Sequence, residues 1–398
     1  MPATNRSLTR FEKALALTGQ FSAFNIVTWV DIEGEVSGDK LRKGLETLAA
    51  PGSALRLTLS RNLKRFVQVE EFELPFEVAD TDSKDAVEQA LNHQVLPGEV
   101  LWKATFFPGE GKSGLLLRFH HVLIDGEAKL TLIWDLLAFV GEDTTLQPRE
   151  MAHLKQKSRF REIVRSMRRG LQQQRYYQRH ATHSILAPPP TKCHTIDFAL
   201  DGAATQSLLK MVRKQRITLN SLLQAALSQA VAHYYSGATI LQGMCFASHR
   251  RKLQQRPQPH ELGAGITLIP YLADTRQELW SLAQTIQSQI KETLSEGGYF
   301  ALNWMAPMVI AQGLKSKKHM GDVALSFSGV IPSQGDFGML KLAGLRSYIS
   351  AHHKAPRFSG WGQVQPDGEL KFCFCYHSMS ESEAAAIGRS FLDSLAVG

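Results

Sequence analysis

The stretch His120-His121-Val122-Leu123-Ile124-Asp125-Gly126 decides how this chain is read. The apolar run Leu115-Leu116-Leu117-Arg118-Phe119 leads into it, and a segment with helical spacing follows, with Leu130, Ile133, Trp134 and Leu137 on one side. Two histidines are therefore expected at the end of a buried strand, with a carboxylate and a glycine at the start of the next helix. Histidine titrates near physiological pH and is the usual general base. Asp125 either orients an imidazole or fixes the loop that holds it. Neighbouring strand residues point to opposite faces, so His120 and His121 do not converge on one ion, and a metal site is not expected.

Working outward, Asn25–Ile32 alternates and is rich in β-branched and aromatic residues, which predicts a strand. A helix follows from Ser37 to about Ala49, with Ser37 as its N-cap. Short strands are predicted over 55–59, 65–69 and 72–78, a helix over 82–96, and strands over 102–107 and 114–120 around the turn Pro108-Gly109-Glu110-Gly111. Residues 155–180 change texture: arginine and lysine dominate, and Phe160, Ile163, Val164, Met167 and Leu171 form an apolar stripe. Pro188-Pro189-Pro190 then favours an extended connector. The second half mixes strands (195–200, 239–247, 266–272, 323–328, 345–350, 358–364, 369–376) with helices (203–216, 221–235, 275–294, 380–395). Ser380 and Glu383 form a capping-box pattern. The expectation is an α+β chain of two lobes, 1–185 and 186–398.

Of the 398 residues, 43% are hydrophobic and 21% charged, which is ordinary for a globular protein, and the net charge of +8 favours anionic partners. The N-terminal segment lacks the long apolar core of a signal peptide, and no run of about 18 apolar residues is present. A cytoplasmic protein is expected. The basic stretch 155–180 is read as a solvated surface helix or as a contact with an acidic carrier or a membrane surface, at the inner face of the membrane in the last case. No nucleic-acid module accompanies the charge, so nucleic acid is not an expected partner. Cys193, Cys245, Cys373 and Cys375 form no CxxC pair, which argues against structural zinc. No GxSxG elbow and no GxxxxGK[ST] loop is present, which leaves serine hydrolysis and nucleotide hydrolysis without support. His352-His353-Lys354 is read as a solvated turn.

HHVLIDG matches the HHxxxDG signature, and on that basis the chain resembles the condensation-domain and coenzyme-A-dependent acyltransferase superfamily. This group includes nonribosomal peptide condensation domains, wax ester synthases, polyketide-associated acyltransferases and chloramphenicol acetyltransferase. Later landmarks are looser. Met244–Arg250 followed by Leu262-Gly263-Ala264-Gly265 resembles the family's strand, arginine and Gly-Asn turn, with Ala264 in place of Asn. Val323–Gly329 resembles a strand that ends near an Asn, again without it, and Phe358-Ser359-Gly360-Trp361-Gly362 is similar to a DFGWG segment lacking the Asp.

The resemblance implies two chloramphenicol-acetyltransferase-like lobes in a V-shaped pseudo-dimer with a tunnel between them. It also implies an acyltransferase that moves an acyl group from acyl-coenzyme A, or from the phosphopantetheine arm of an acyl carrier protein, to a hydroxyl or amine. The setting would be lipid or secondary-metabolite synthesis, with a small-molecule or lipid acceptor. His121 would be the base and the Gly126 N–H an oxyanion donor, with Ser326 and Trp361 as further candidates for oxyanion or substrate contact. His120 would pack beneath the loop, and Asp125 would brace it through an ion pair with Arg250. No metal and no permanently bound cofactor is expected. A free-standing amide-forming condensation enzyme and an inactive binding protein of the same fold are the alternatives.

Overall fold

The computed structural model describes residues 6–80, 83–154, 159–188, 191–295, 297–331, 336–351 and 354–396. The expectations for Lys155–Ser158, Pro189-Pro190 and His352-His353 lie outside the described residues. The protein is α+β, with two sheet-rich lobes.

The chain folds into two compact units, and neither is a single stretch. The first comprises Met1–Lys155, His249–Ile266 and Ile331–Ser350, and the second Gln156–Ser248, Thr267–Val330 and Ala351–Gly398. The sequence suggested one cut at 185. The difference has a backbone cause. Leu340–Ile349 pairs antiparallel with Asn25–Glu33 over most of its length, so these late residues complete the sheet of the first unit. The basic helix Phe160–His180 belongs to the second.

In the first unit the strand order is Asp336–Phe337, Leu340–Ile349, Asn25–Glu33, Lys112–His120, Trp102–Phe107 and Phe76–Val78. Asn25–Glu33 pairs antiparallel with Lys112–His120 in unbroken register from Asn25↔His120 to Glu33↔Lys112. Every residue from Ser113 to His120 is buried. Such a strand reads as a continuous apolar run, which is why its end carries the histidines into the interior.

The second unit holds the order Ile266–Asp274, Ile240–Ser248, Val323–Val330, Phe358–Val364, Leu370–Tyr376 and His194–Leu200. Its central strand, Val323–Val330, pairs in parallel on both sides. The Ala- and Leu-rich helix Leu219–Tyr234 is buried along most of its length and supplies much of this core. Near the C-terminal end of Phe160–His180, Tyr177 Oη donates to Asp322 Oδ1 at 2.9 Å, and His183 Nε2 lies 2.9 Å from the same oxygen.

Two helices were not expected. Arg10–Phe21 is closed at its N-terminus by a capping box of Thr9 and Glu12, a signal that was present in the sequence. Gly298–Lys315 contains Pro307 and shows little one-sided periodicity, so it does not stand out as helical. Among the described residues no helix is long and apolar enough to cross a membrane.

Candidate active site

The strand Lys112–His120 ends at the first histidine of the motif, and the helix Gly126–Glu142 begins one residue after Asp125. Asp125 is the N-cap: its Oδ1 accepts from Ala128 N–H at 3.0 Å, satisfying one of the donors every helix start leaves open. The turn between is buried at every position. Ile124 forms a parallel bridge with Gly263.

His120 is a packing residue. Its Nδ1 accepts from Val122 N–H at 3.2 Å, and a Cβ built on Gly19 would lie 2.3 Å from its Nε2, so the ring fills the space a side chain at Gly19 would need. Burial, helped by the neighbouring His121 and Arg118, pushes its pKa down to about 3, so it is neutral at ordinary pH.

His121 continues the ladder: its N–H donates to the Phe24 carbonyl at 3.0 Å. Its ring lies 5.2 Å from that of Phe24, tilted by 35°. The residue is 4% exposed, and Nδ1 makes no hydrogen bond of good geometry among the described residues. Burial lowers the imidazole pKa. The backbone of His121 and Ile124 and the charge of Asp125 pull it back up, and Lys129 lowers it. The net direction is downward, which keeps the ring in the neutral form a general base requires.

Asp125 is held in an arginine cradle. Its Oδ2 accepts from Arg250 Nε at 2.7 Å and from Gly265 N–H at 2.7 Å. Arg250 also donates to the carbonyls of Gly263 at 2.9 Å and Glu261 at 3.3 Å. Asp125 and Arg250 are 1% and 4% exposed. The pair thus has the additional hydrogen bonds that make burial of two charges tolerable. Next to it, burial pushes His249 down to about 4, with Asp125 opposing and Arg250 assisting. A Cβ on Gly265 would lie 2.6 Å from Arg250 Cγ and 3.0 Å from Asp125 Oδ2, so the close approach requires glycine.

Gly126 is the first residue of its helix, so its N–H has no intrahelical acceptor. A cavity of about 380 Å³ opens beside the first turns of this helix. Glu127, Thr131, Arg250, Arg256 and Gln258 line it, whereas His121 does not. Ser326 and Trp361 belong to the second unit, where they are register partners on adjacent parallel strands. Among the described residues no group of three or more His, Cys, Asp or Glu side chains is arranged to hold a metal ion.

Sequence reasoning missed two features. Lys129 is 1% exposed, and its Nζ donates to Ser347 Oγ at 2.5 Å. It lies on the buried stripe with Leu132, Ile133, Leu136 and Val140, whereas Leu130 and Trp134, expected on that side, are only partly buried. The spacing 129, 132, 133, 136 was the signal that could have found it. The Gly265 N–H was missed because a backbone donor leaves no mark in a sequence.

The family model described as Condensation domain matches residues 14–395. The chain belongs to the condensation domain family. Members of the wider superfamily are acyl and peptidyl transferases. A curated relative, nonribosomal peptide synthetase 7 of Aspergillus fumigatus, is 22% identical over 284 residues, which is 66% of this chain and 11% of that protein. This condensation-domain chain therefore spans only a small part of the relative it matches. Among solved structures, TRI3 trichothecene 15-O-acetyltransferase from Fusarium sporotrichioides superposes with a TM-score of 0.76 at 13% identity, covering 98% of this chain and 95% of that one. The epimerization domain from the third module of tyrocidine synthetase B superposes at 0.69 and 15% identity, covering 99% and 95%. At such identities the likeness is one of fold, and that fold carries more than one chemistry.

Proposed function

We propose that this protein transfers an acyl group from a thioester to an amine or hydroxyl nucleophile, with His121 as general base. The observation that carries the reading is a neutral imidazole on a loop whose neighbouring carboxylate is fully engaged elsewhere. Asp125 accepts from Arg250, Gly265 and Ala128, so it holds the loop. The nucleophile attacks the thioester carbonyl as His121 removes its proton. The tetrahedral oxyanion collapses, the C–S bond breaks, and the departing thiolate recovers the proton from the imidazolium. The Gly126 N–H is the proposed oxyanion donor. One lost donor of this kind costs roughly 10²–10³ in rate.

The donor is an acyl or aminoacyl group on a phosphopantetheine arm, carried by a carrier protein or by coenzyme A. Family membership and the peptide-synthetase relative support the carrier-bound form and an amine acceptor. The likeness to an O-acetyltransferase keeps the hydroxyl acceptor in play. No permanently bound cofactor enters the scheme.

The test is incubation of the purified chain with labelled acyl-coenzyme A or acyl-loaded carrier protein and a panel of amines and alcohols. His121→Ala is expected to lower transfer by about 10²–10⁴-fold with an unchanged melting temperature. Full activity in that variant removes His121 from the chemistry. Absence of transfer across the panel, with unchanged binding of the loaded carrier, favours a binding protein of this fold.

A further inference from the structure

The helix Phe160–His180 carries six arginines and one glutamate. Only Ile163 and Tyr177 are buried along its length. Ile163 packs with Ala301 and Met305 of the helix Gly298–Lys315, which fixes the face turned inward. Phe160, Val164, Met167 and Leu171 follow one another at spacings of four, three and four, so they form one stripe. That stripe lies outside the buried face: Phe160 is 78% exposed, Leu171 55% and Met167 39%. Arg161, Arg168 and Arg175 repeat every seven residues and form a second exposed stripe, one residue's rotation from the first. None of these three, nor Arg179, has an ion-pair partner among the described residues. Arg169 is different, because it is tied to Glu292 and Thr293. A cleft of about 510 Å³, lined by Phe160, Val164, Arg161, Arg165 and Arg168, runs along the same side. On Gly298–Lys315, Met308 and Val309 are also more than half exposed.

We propose that this face lies on an anionic lipid bilayer, with the Phe160–Leu171 stripe in the headgroup–acyl boundary and the arginines on lipid phosphates. Charge of one sign identifies an anionic partner. The adjoining stripe of unlike apolar side chains, with Phe160, Met167 and Leu171 exposed, selects the lipid interface over an acidic protein or a nucleic acid. A bilayer accepts apolar groups of any shape, whereas a protein partner needs a matching surface. The helix spans about 31 Å, so both stripes reach the plane together. This inference is independent of the acyl-transfer reading.

The experiment is co-sedimentation of the full chain with vesicles of equal parts phosphatidylcholine and phosphatidylglycerol, and with phosphatidylcholine alone. Binding is expected only with phosphatidylglycerol, and it is expected to weaken at high salt. Arg161→Gln and Arg168→Gln should each reduce affinity about fivefold. The pair Phe160→Ser with Leu171→Ser should reduce it about tenfold or more, with an unchanged melting temperature. No binding to phosphatidylglycerol vesicles overturns the proposal. So does binding that is indifferent to Phe160→Ser and Leu171→Ser, since charge alone would then account for it. Binding of an acidic carrier protein with none to vesicles assigns the face to that partner instead.

Discussion

Asp125 is 1% exposed and accepts from Arg250, Gly265 and Ala128, whereas Arg161, Arg168, Arg175 and Arg179 stand on an open helix face with no ion-pair partner among the described residues. The first charge is committed to one geometry, and its loss leaves Arg250 buried without its counterion. The others are committed only to a class of partner, and the fold is indifferent to them. Within one chain, buried charge shapes the loop that presents His121, while exposed charge is free to serve contact with the outside.

Breaking the buried side of this contrast should have the largest effect. Asp125→Ala strands Arg250 and is expected to cost about 3–5 kcal/mol of stability, read as a lowered denaturant midpoint, along with activity. Acid probes buried rings in both units. His120 is held near pKa about 3, and His249 and His377 near about 4, each mainly by burial. These folded-state values lie below the unfolded value of about 6.5, so the unfolded chain binds more protons. The stability they contribute is complete above about pH 6.5 and is lost as pH falls toward 4, on the order of 1 kcal/mol per pH unit for each group. Denaturant curves between neutral pH and pH 4 measure it, and a flat profile would show the three rings to be solvated.

Gly265→Ala sharpens the comparison. Its methyl meets Arg250 and Asp125 at once and is expected to cost about 1–3 kcal/mol, with a matching fall in transfer rate. If stability drops while the rate holds, the cradle serves the fold alone. At the small end, Phe160→Ser with Leu171→Ser should leave stability within about 0.5 kcal/mol of the parent, since both side chains are largely in solvent. A larger loss by thermal melt would mean that the open face is part of the core.

The motif loop was legible because its signals are local. A buried strand reads as an apolar run, Asp125 caps the next helix, and the glycine follows. The Asp125–Arg250 pairing came from family likeness, since two residues 125 positions apart carry no local sign of it. Gly265 was invisible because its contribution is a backbone N–H. Lys129 was overlooked because a lysine on a helix is ordinarily assigned to solvent, although its spacing with Ile133 and Leu136 placed it inside. The same gap explains the Leu340–Ile349 strand: alternation predicts that a strand exists, and nothing local says which sheet it joins.

The pairing of Asn25–Glu33 with Leu340–Ile349 also sets a clock for biosynthesis. Asn25–Glu33 emerges from the ribosome roughly half a minute before its permanent neighbour at ordinary elongation rates. During that wait one side of Asn25–Glu33 offers bare peptide groups to any passing extended chain. A nascent polypeptide of this kind needs cover for that edge until Leu340–Ile349 has emerged, and a chain cut between the two strands would deprive Asn25–Glu33 of its neighbour for good.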